Sequence, residues 1–399
     1  IEAGKNAISA SPADAYAHEI TGLAYTKLAE YLMDSGESTD ELLQRAVTHF
    51  EQALGLNPKF PWAYNDYGLA LSLRGITQKR RNEDPRDFFQ KAIAQAKKAI
   101  DIDEGYLLAY NNTASWLTDL ADWKFNHGEN PEETLREAVE MADRVLRLNN
   151  KHPLANGNAG LALSMMSSYR LEMGTDGVEQ ANGAIKRFNA LLQVDDTLVL
   201  AYRELARAYQ LLASHERIRG LDPKSSIEAG LRTIATCKRL DPGNAGCQRV
   251  EAELILVQAQ GGLQATKPSL PLLEDARRLA AEAMRKAPHR VDVCLTVAKV
   301  CLRLAEGSSA QDEPKDSRNI TVEEGLRAIE QVERLAPGLP RASALKGALH
   351  FQKAQLSADD EQIELARAQE SLSAALTGNS NLKLEFAEVA EKVTRALQR

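Results

Sequence analysis

A period of 46 residues runs through this chain and restricts its fold more than any other feature. Helical phrases close on similar endings: LGLNP at Leu54 to Pro58, AIDIDE at Ala99 to Glu104, VLRLNN at Val145 to Asn150 and CKRLDP at Cys237 to Pro242. Their last residues extend to a series, Pro12, Pro58, Glu104, Asn150, Asp196, Pro242 and Pro288; Pro337 follows after 49 residues, and a degenerate ninth anchor lies near Ser380. A fixed period of this length marks a chain of stacked supersecondary units, each too small to bury its apolar face alone.

Positions that did not define the series test it. Five residues past the anchors stand Ala17, Ala63, Ala109, Ala155, Ala201, Cys247, Val293 and Ala342; ten past them stand Gly22, Gly68, Ala114, Gly160, Ala206, Ala252, Ala298 and Gly347. Twelve before them, from Pro58 on, stand Ala46, Ala92, Ala138, Ala184, Gly230, Ala276 and Gly325. Small side chains recurring this way let two helices of a hairpin, and the next hairpin, approach closely. Tyr25, Leu71, Leu117, Leu163 and Tyr209 fill what space is left. Helix starts are expected at Asn130 with Pro131 and Glu133, Asp84 with Pro85, Asp222 with Pro223, and Thr321 with Glu324; Gly36, Gly128, Gly174 and Gly307 are expected to break the chain just upstream.

Small residues ahead of a Pro-terminated helix, with Gly or Ala ten residues beyond it, resemble the tetratricopeptide repeat over nearly the whole chain. The usual repeat has 34 residues, so each unit here carries longer helices and a longer inner turn. The resemblance implies an all-α, right-handed superhelical solenoid of about eight antiparallel helix pairs. We place units near 13–58, 59–104, 105–150, 151–196, 197–242, 243–288, 289–337 and 338–380, with 1–10 ending a preceding second helix and 381–399 a capping helix. The phrases NPKFPWAYNDYGLALSLRG (Asn57 to Gly75) and HGENPEETLREAVEMADRVLRL (His127 to Leu148) resemble the elongated arrays C-terminal to bacterial serine/threonine kinase domains, although no kinase motif is present. The start at Ile1 without Met fits a fragment of such a larger protein.

The formal charge of -7 removes the general case for nucleic-acid or membrane-surface binding, which needs clustered Lys and Arg. With no apolar run of membrane-spanning length and no secretion-type start, a cytoplasmic protein is expected. Cys237, Cys247, Cys294 and Cys301 lack zinc-site spacing and read as small buried hydrophobes, with a disulfide as the alternative. No cofactor is implied: there is no phosphate loop or dinucleotide fingerprint, and Gly261-Gly262 follows no strand. The seven histidines, His18, His49, His127, His152, His215, His289 and His350, form no metal pair and read as surface or groove residues. Acid pairs such as Glu132-Glu133 and Glu323-Glu324 fit first helical turns, where the helix dipole favours them, without catalysis. The run Lys79-Arg80-Arg81 reads as a solvated turn.

A ligand would meet the first helices, whose residues seven, eleven and fourteen past each anchor share one face. These columns give Glu19, Leu23 and Thr26, then Asn65, Leu69 and Ser72, then Asn111, Ser115 and Thr118, then Gly157, Leu161 and Ser164. Arg203, Arg207 and Gln210 follow, then Arg249 with Glu253; Leu295, Leu302, Ala344 and Phe351 make the last units apolar, with Lys299 interrupting. Guanidinium and amide groups grip carboxylates and extended backbones. The expectation is a non-catalytic scaffold holding a partner protein or an extended acidic peptide against Asn65, Asn111, Ser115, Arg203, Arg207 and Arg249. The alternative is a small-molecule sensor of a signalling ATPase or transcription regulator. Glu19 with Leu23 and Asn65 with Leu69 do not reproduce the Lys and Asn set that grips chain-end carboxylates in other arrays of this kind. Leu384, Phe386, Val389, Val393 and Leu397 make 382–397 one amphipathic helix, a cap or a dimer contact.

Overall fold

Ala- and Leu-rich stretches with proline confined to the first turn, several of them closed by Asn57, Asp103, Asn149 or Asp241, dictate helices. The computed structural model describes residues 1–33, 38–261, 267–309, 311 and 313–398; Gly36 and Gly262 fall outside them. Among the described residues the chain forms α1 (Glu2–Ala10), α2 (Ala15–Met33), α3 (Asp40–Leu56), α4 (Pro61–Arg80), α5 (Arg86–Ile102), α6 (Leu107–Asn126), α7 (Glu132–Leu148), α8 (Pro153–Glu172) and α9 (Val178–Leu192). It continues through α10 (Val199–Ile218), α11 (Lys224–Leu240), α12 (Ala245–Ala259), α13 (Leu270–Lys286), α14 (Val291–Ser309), α15 (Lys315–Leu335), α16 (Pro340–Ala354) and α17 (Glu361–Gly378). A 3-10 turn at Ser380–Leu382 leads into α18 (Lys383–Leu397). Even-numbered helices from α2 to α14 begin at intervals of 46 residues.

The chain divides into two compact units, one of residues 1–123 with 131–162, the other of 124–130 with 163–399. In the first, α2 packs on α3 and α4 on α5. The small columns work by contact: a Cβ on Gly68 would stand 2.6 Å from the Trp116 ring and 2.9 Å from the Ala92 carbonyl oxygen. In the second, α10 packs on α11, α12 on α13, α14 on α15 and α16 on α17. One apolar cluster runs there from Ala252 to Val393, and α18 joins it through buried Phe386 and Val393. No described helix is long and apolar enough to cross a membrane.

Several expectations change. Asp84 and Asp222 cap their helices, each accepting a 3.0 Å bond from the second following backbone N–H, that of Arg86 and of Lys224. Thr321 does not open a helix: α15 starts after Pro314, whose fixed φ suits a helix start, and the Thr321 hydroxyl is buried and donates back to the Ser317 carbonyl. Gly307 lies inside α14 rather than at a break. Cys237 and Cys247 form a disulfide, because the turn between α11 and α12 brings their Cα atoms to 6.3 Å; Cys294 and Cys301 stay buried thiols. His18, His215 and His350, expected on the surface or in a groove, are buried, His350 at the wall of a pocket: His215 Nε2 pairs with the Ser167 carbonyl at 3.1 Å, and His350 Nδ1 with Glu364 at 2.5 Å. Lys79 is held by Asp119 at 2.9 Å and Asp122 at 2.8 Å, which outweigh its burial and raise its pKa; Arg81 stands 3.8 Å from Asp40.

Candidate binding clefts

Two clefts of similar volume and opposite electrostatic character are cut into the even-numbered helices, one in each unit. That of the first unit, 510 Å³, is lined by Glu19 and Leu23 of α2, Trp62, Asn65 and Asp66 of α4, and Tyr106 and Asn112 at and in α6. A ladder of contacts joins successive even helices at a spacing of 47 residues, the period plus one, and its first two rungs lie in the cleft. Glu19 hydrogen-bonds Asp66, Asn112 Nδ2 donates to Asn65 Oδ1 at 2.9 Å, and Asn158 Nδ2 donates to the Asn111 carbonyl at 3.0 Å. Asn65 also donates to Asp66 at 2.9 Å. Burial, reinforced by Asp66, pushes the Glu19 carboxyl up to about 8, and burial raises Asp66 too.

The ladder decides what two of the expected contact residues do. Asn65 is fully buried with its amide engaged at both ends, and Asn111 is buried with its amide donating to the Leu107 carbonyl. Ser115 is half-buried on α6 and, like Asn111, does not line this cleft.

The second unit's cleft, 520 Å³, brings together Arg207, Arg217, Arg249, Lys299, Arg303 and Arg341 with only three carboxylates, Glu172, Glu253 and Glu385. Repeat geometry explains the convergence: Arg207, Glu253 and Lys299 stand eleven residues past successive anchors, and Arg303 one helical turn beyond Lys299. Arg249 bonds Glu253 at 2.9 Å and approaches Asp292 at 3.2 Å. Arg303 reaches Glu306 and Glu385, each at 2.8 Å; Arg341 joins Glu172 and, at 3.0 Å, Glu385. Arg207 makes a loose contact, 3.6 Å, with Glu204. Arg217 and Lys299 have no ion pair among the described residues.

Within the cleft's lining six cations face three carboxylates, and Glu204, Asp292 and Glu306 from outside it pair with Arg207, Arg249 and Arg303. Burial and the neighbouring Arg303 depress the Arg217 pKa, and its Nε is buried without a hydrogen-bond partner. Burial works against ionised Glu385 and Glu253 as well, but Arg341, Lys299 and Arg303 around the first, and Arg249, Lys299 and Arg207 around the second, hold both below the usual carboxylate range. Of the expected contact residues, Arg207 and Arg249 meet here. Arg203 lies apart, its guanidinium bonding Glu204 at 2.8 Å and its stem against Gly246. Arg217, Arg341 and Glu385 were not among the expected residues; Lys299, read as an interruption of an apolar face, lines the cleft. No group of three or more His, Cys, Asp or Glu among the described residues is placed to hold a metal ion.

No protein-family profile matches this chain, and no curated protein matches it in sequence. Its fold is similar to that of yeast Tom70, with a TM-score of 0.55 and 15% identity over 90% of this chain. A tetratricopeptide repeat protein from Parabacteroides merdae gives 0.48 at 14% identity over 82% of this chain and 98% of its own. The human IFIT1 dimer with m7Gppp-AAAA gives 0.49 at 14% identity over 88% of this chain and 68% of its own. The chain spans 60% of the Tom70 chain. Paired helices in succession, with the likeness to Tom70, define a tetratricopeptide-like helical-repeat fold.

Proposed function

We propose that the chain is a non-catalytic scaffold that holds an acidic segment of a partner protein in the cleft of its second unit. The observation that carries this reading is the set of six cationic side chains facing three carboxylates in the cleft's lining, with Arg217 and Lys299 in no ion pair among the described residues. Half-buried cations with no ion pair of their own are costly to keep, and a carboxylate ligand offsets that cost through charge-assisted hydrogen bonds. Arg207, Arg217 and Lys299 take the ligand directly, while Arg249, already doubly paired, holds the wall. Asn65, Asn111 and Ser115 serve the first unit's framework in this reading, and Arg203 orients Glu204. The cleft's volume also suits a small anionic metabolite, the second reading. A regulatory segment of a cytoplasmic bacterial signalling protein, such as a serine/threonine kinase, remains the proposed context; it requires a kinase domain in the chain ahead of Ile1.

The test is fluorescence anisotropy with a labelled peptide of alternating glutamate and leucine. Reversing Arg207 and Lys299 to Glu together is expected to weaken binding by more than about 100-fold, two charge-assisted contacts being lost. Unchanged affinity overturns the cleft as the site, and competition by a dicarboxylate metabolite far below the peptide's Kd favours the second reading.

A further inference from the structure

The second unit's cleft already contains a carboxylate that its own chain supplies. Glu385, in the first turn of α18, reaches Arg303 of α14 at 2.8 Å through one oxygen and Arg341 of α16 at 3.0 Å through the other. Such two-sided engagement of one carboxylate by two guanidiniums is the geometry an acidic ligand side chain would adopt there. Leu384 beside it also lines the cleft yet stays 62% exposed, an apolar side chain held at a charged mouth without being buried.

The rest of α18 is held along one face, where Val389, Ala390, Ala396 and Leu397 pack half-buried against the apolar cluster. Only Phe386 and Val393 are buried, and its outer face carries Glu388 paired with Lys392 and Glu391 paired with Arg395, all exposed. The chain just before it is fixed: Asn379 donates to the Phe125 and Asn126 carbonyls at 3.1 Å, and Leu382 is buried. With its apolar contacts confined to one face and Glu385 of its first turn held by the cleft's cations, α18 loosens at that turn when a competitor takes Arg303 and Arg341.

We propose that Leu384 and Glu385 are an internal ligand of the cleft, and that an acidic, leucine-bearing segment of a partner competes with them for Arg303 and Arg341. This rests on the reading of the cleft as an acidic-peptide site. Because the internal carboxylate is tethered, it acts at high effective concentration, and removing it raises the affinity for an outside ligand without adding any contact.

The experiment uses the full chain and the same glutamate-leucine peptide. Glu385→Gln is expected to bind it about tenfold more tightly than the wild type, the gain of removing a tethered competitor. Glu388→Gln, on the outer face, is expected to leave affinity unchanged. In the wild type, saturating peptide is expected to speed amide exchange in α18 while α17 keeps its protection. Equal or weaker binding by Glu385→Gln overturns the internal ligand while the cleft reading stands, provided the wild type binds and the Arg207 and Lys299 reversal does not. Unchanged exchange in α18 at saturation overturns it as well, whatever Glu385→Gln does to folding. Absence of binding by both wild type and Glu385→Gln overturns the cleft reading and this inference together.

Discussion

Glu19 shows how one buried side chain carries a pH dependence. Its carboxyl titrates near 8 in the folded chain against an ordinary 4.5, so the folded state holds a proton that the unfolded chain has released over that window. Stability from this group is therefore complete below about pH 4.5 and is lost as pH rises towards 8. Thermal melts followed by circular dichroism should show a midpoint falling over this range, and Glu19→Gln should flatten the slope and leave the variant more stable at pH 8. Equal slopes would remove Glu19 as the cause. The residue's position in a column was readable from the period, but its partner was not: Asp66 lies one residue off that column, and only the offset between neighbouring helices makes 47 the contact spacing. Small positions such as Gly68 were readable because the same steric demand recurs in every unit. At Gly347 an added Cβ would stand 2.6 Å from Leu372.

At the scale of elements, α18 matters most. Its amphipathic pattern allowed a cap or a dimer contact, and Phe386 and Val393 now sit in the same apolar cluster as Leu349 and Leu372. Phe386→Ala should cost about 3–5 kcal/mol, the range for emptying a buried aromatic site. The measurement is a denaturant titration paired with light scattering; a lowered midpoint at unchanged mass is expected, whereas a halved mass would make α18 a subunit contact. Helix starts were legible where Asp precedes Pro, since capping is local chemistry. Thr321 misled because Thr with Glu three residues on is also compatible with a helix interior, and the earlier Pro314 supplied the start.

In the second unit, contacts span much of the chain. Arg341 joins Glu172, 169 residues earlier, to Glu385, so α8, α16 and α18 share one charge network. Arg341→Ala leaves two carboxylates facing each other without it. The cost should be about 2–3 kcal/mol, below the 3–5 typical of fully buried pairs because these side chains keep about a quarter of their exposure. Thermal melting and faster amide exchange in α16 and α18 would report it; an unchanged melting midpoint would show that the network contributes nothing.

The period by itself determined that the chain is helical, that the even-numbered helices from α2 to α14 recur every 46 residues and which positions must be small, because each follows from interactions within a unit or with its immediate neighbour. Tertiary structure decided the rest. It engaged Asn65 and Asn111 in a ladder, gathered Arg207, Arg249 and Lys299 with Arg217, Arg303 and Arg341, and set Glu385 among them. Charges so far apart in sequence meet only through the accumulated rotation of stacked helices, which no local pattern of residues encodes.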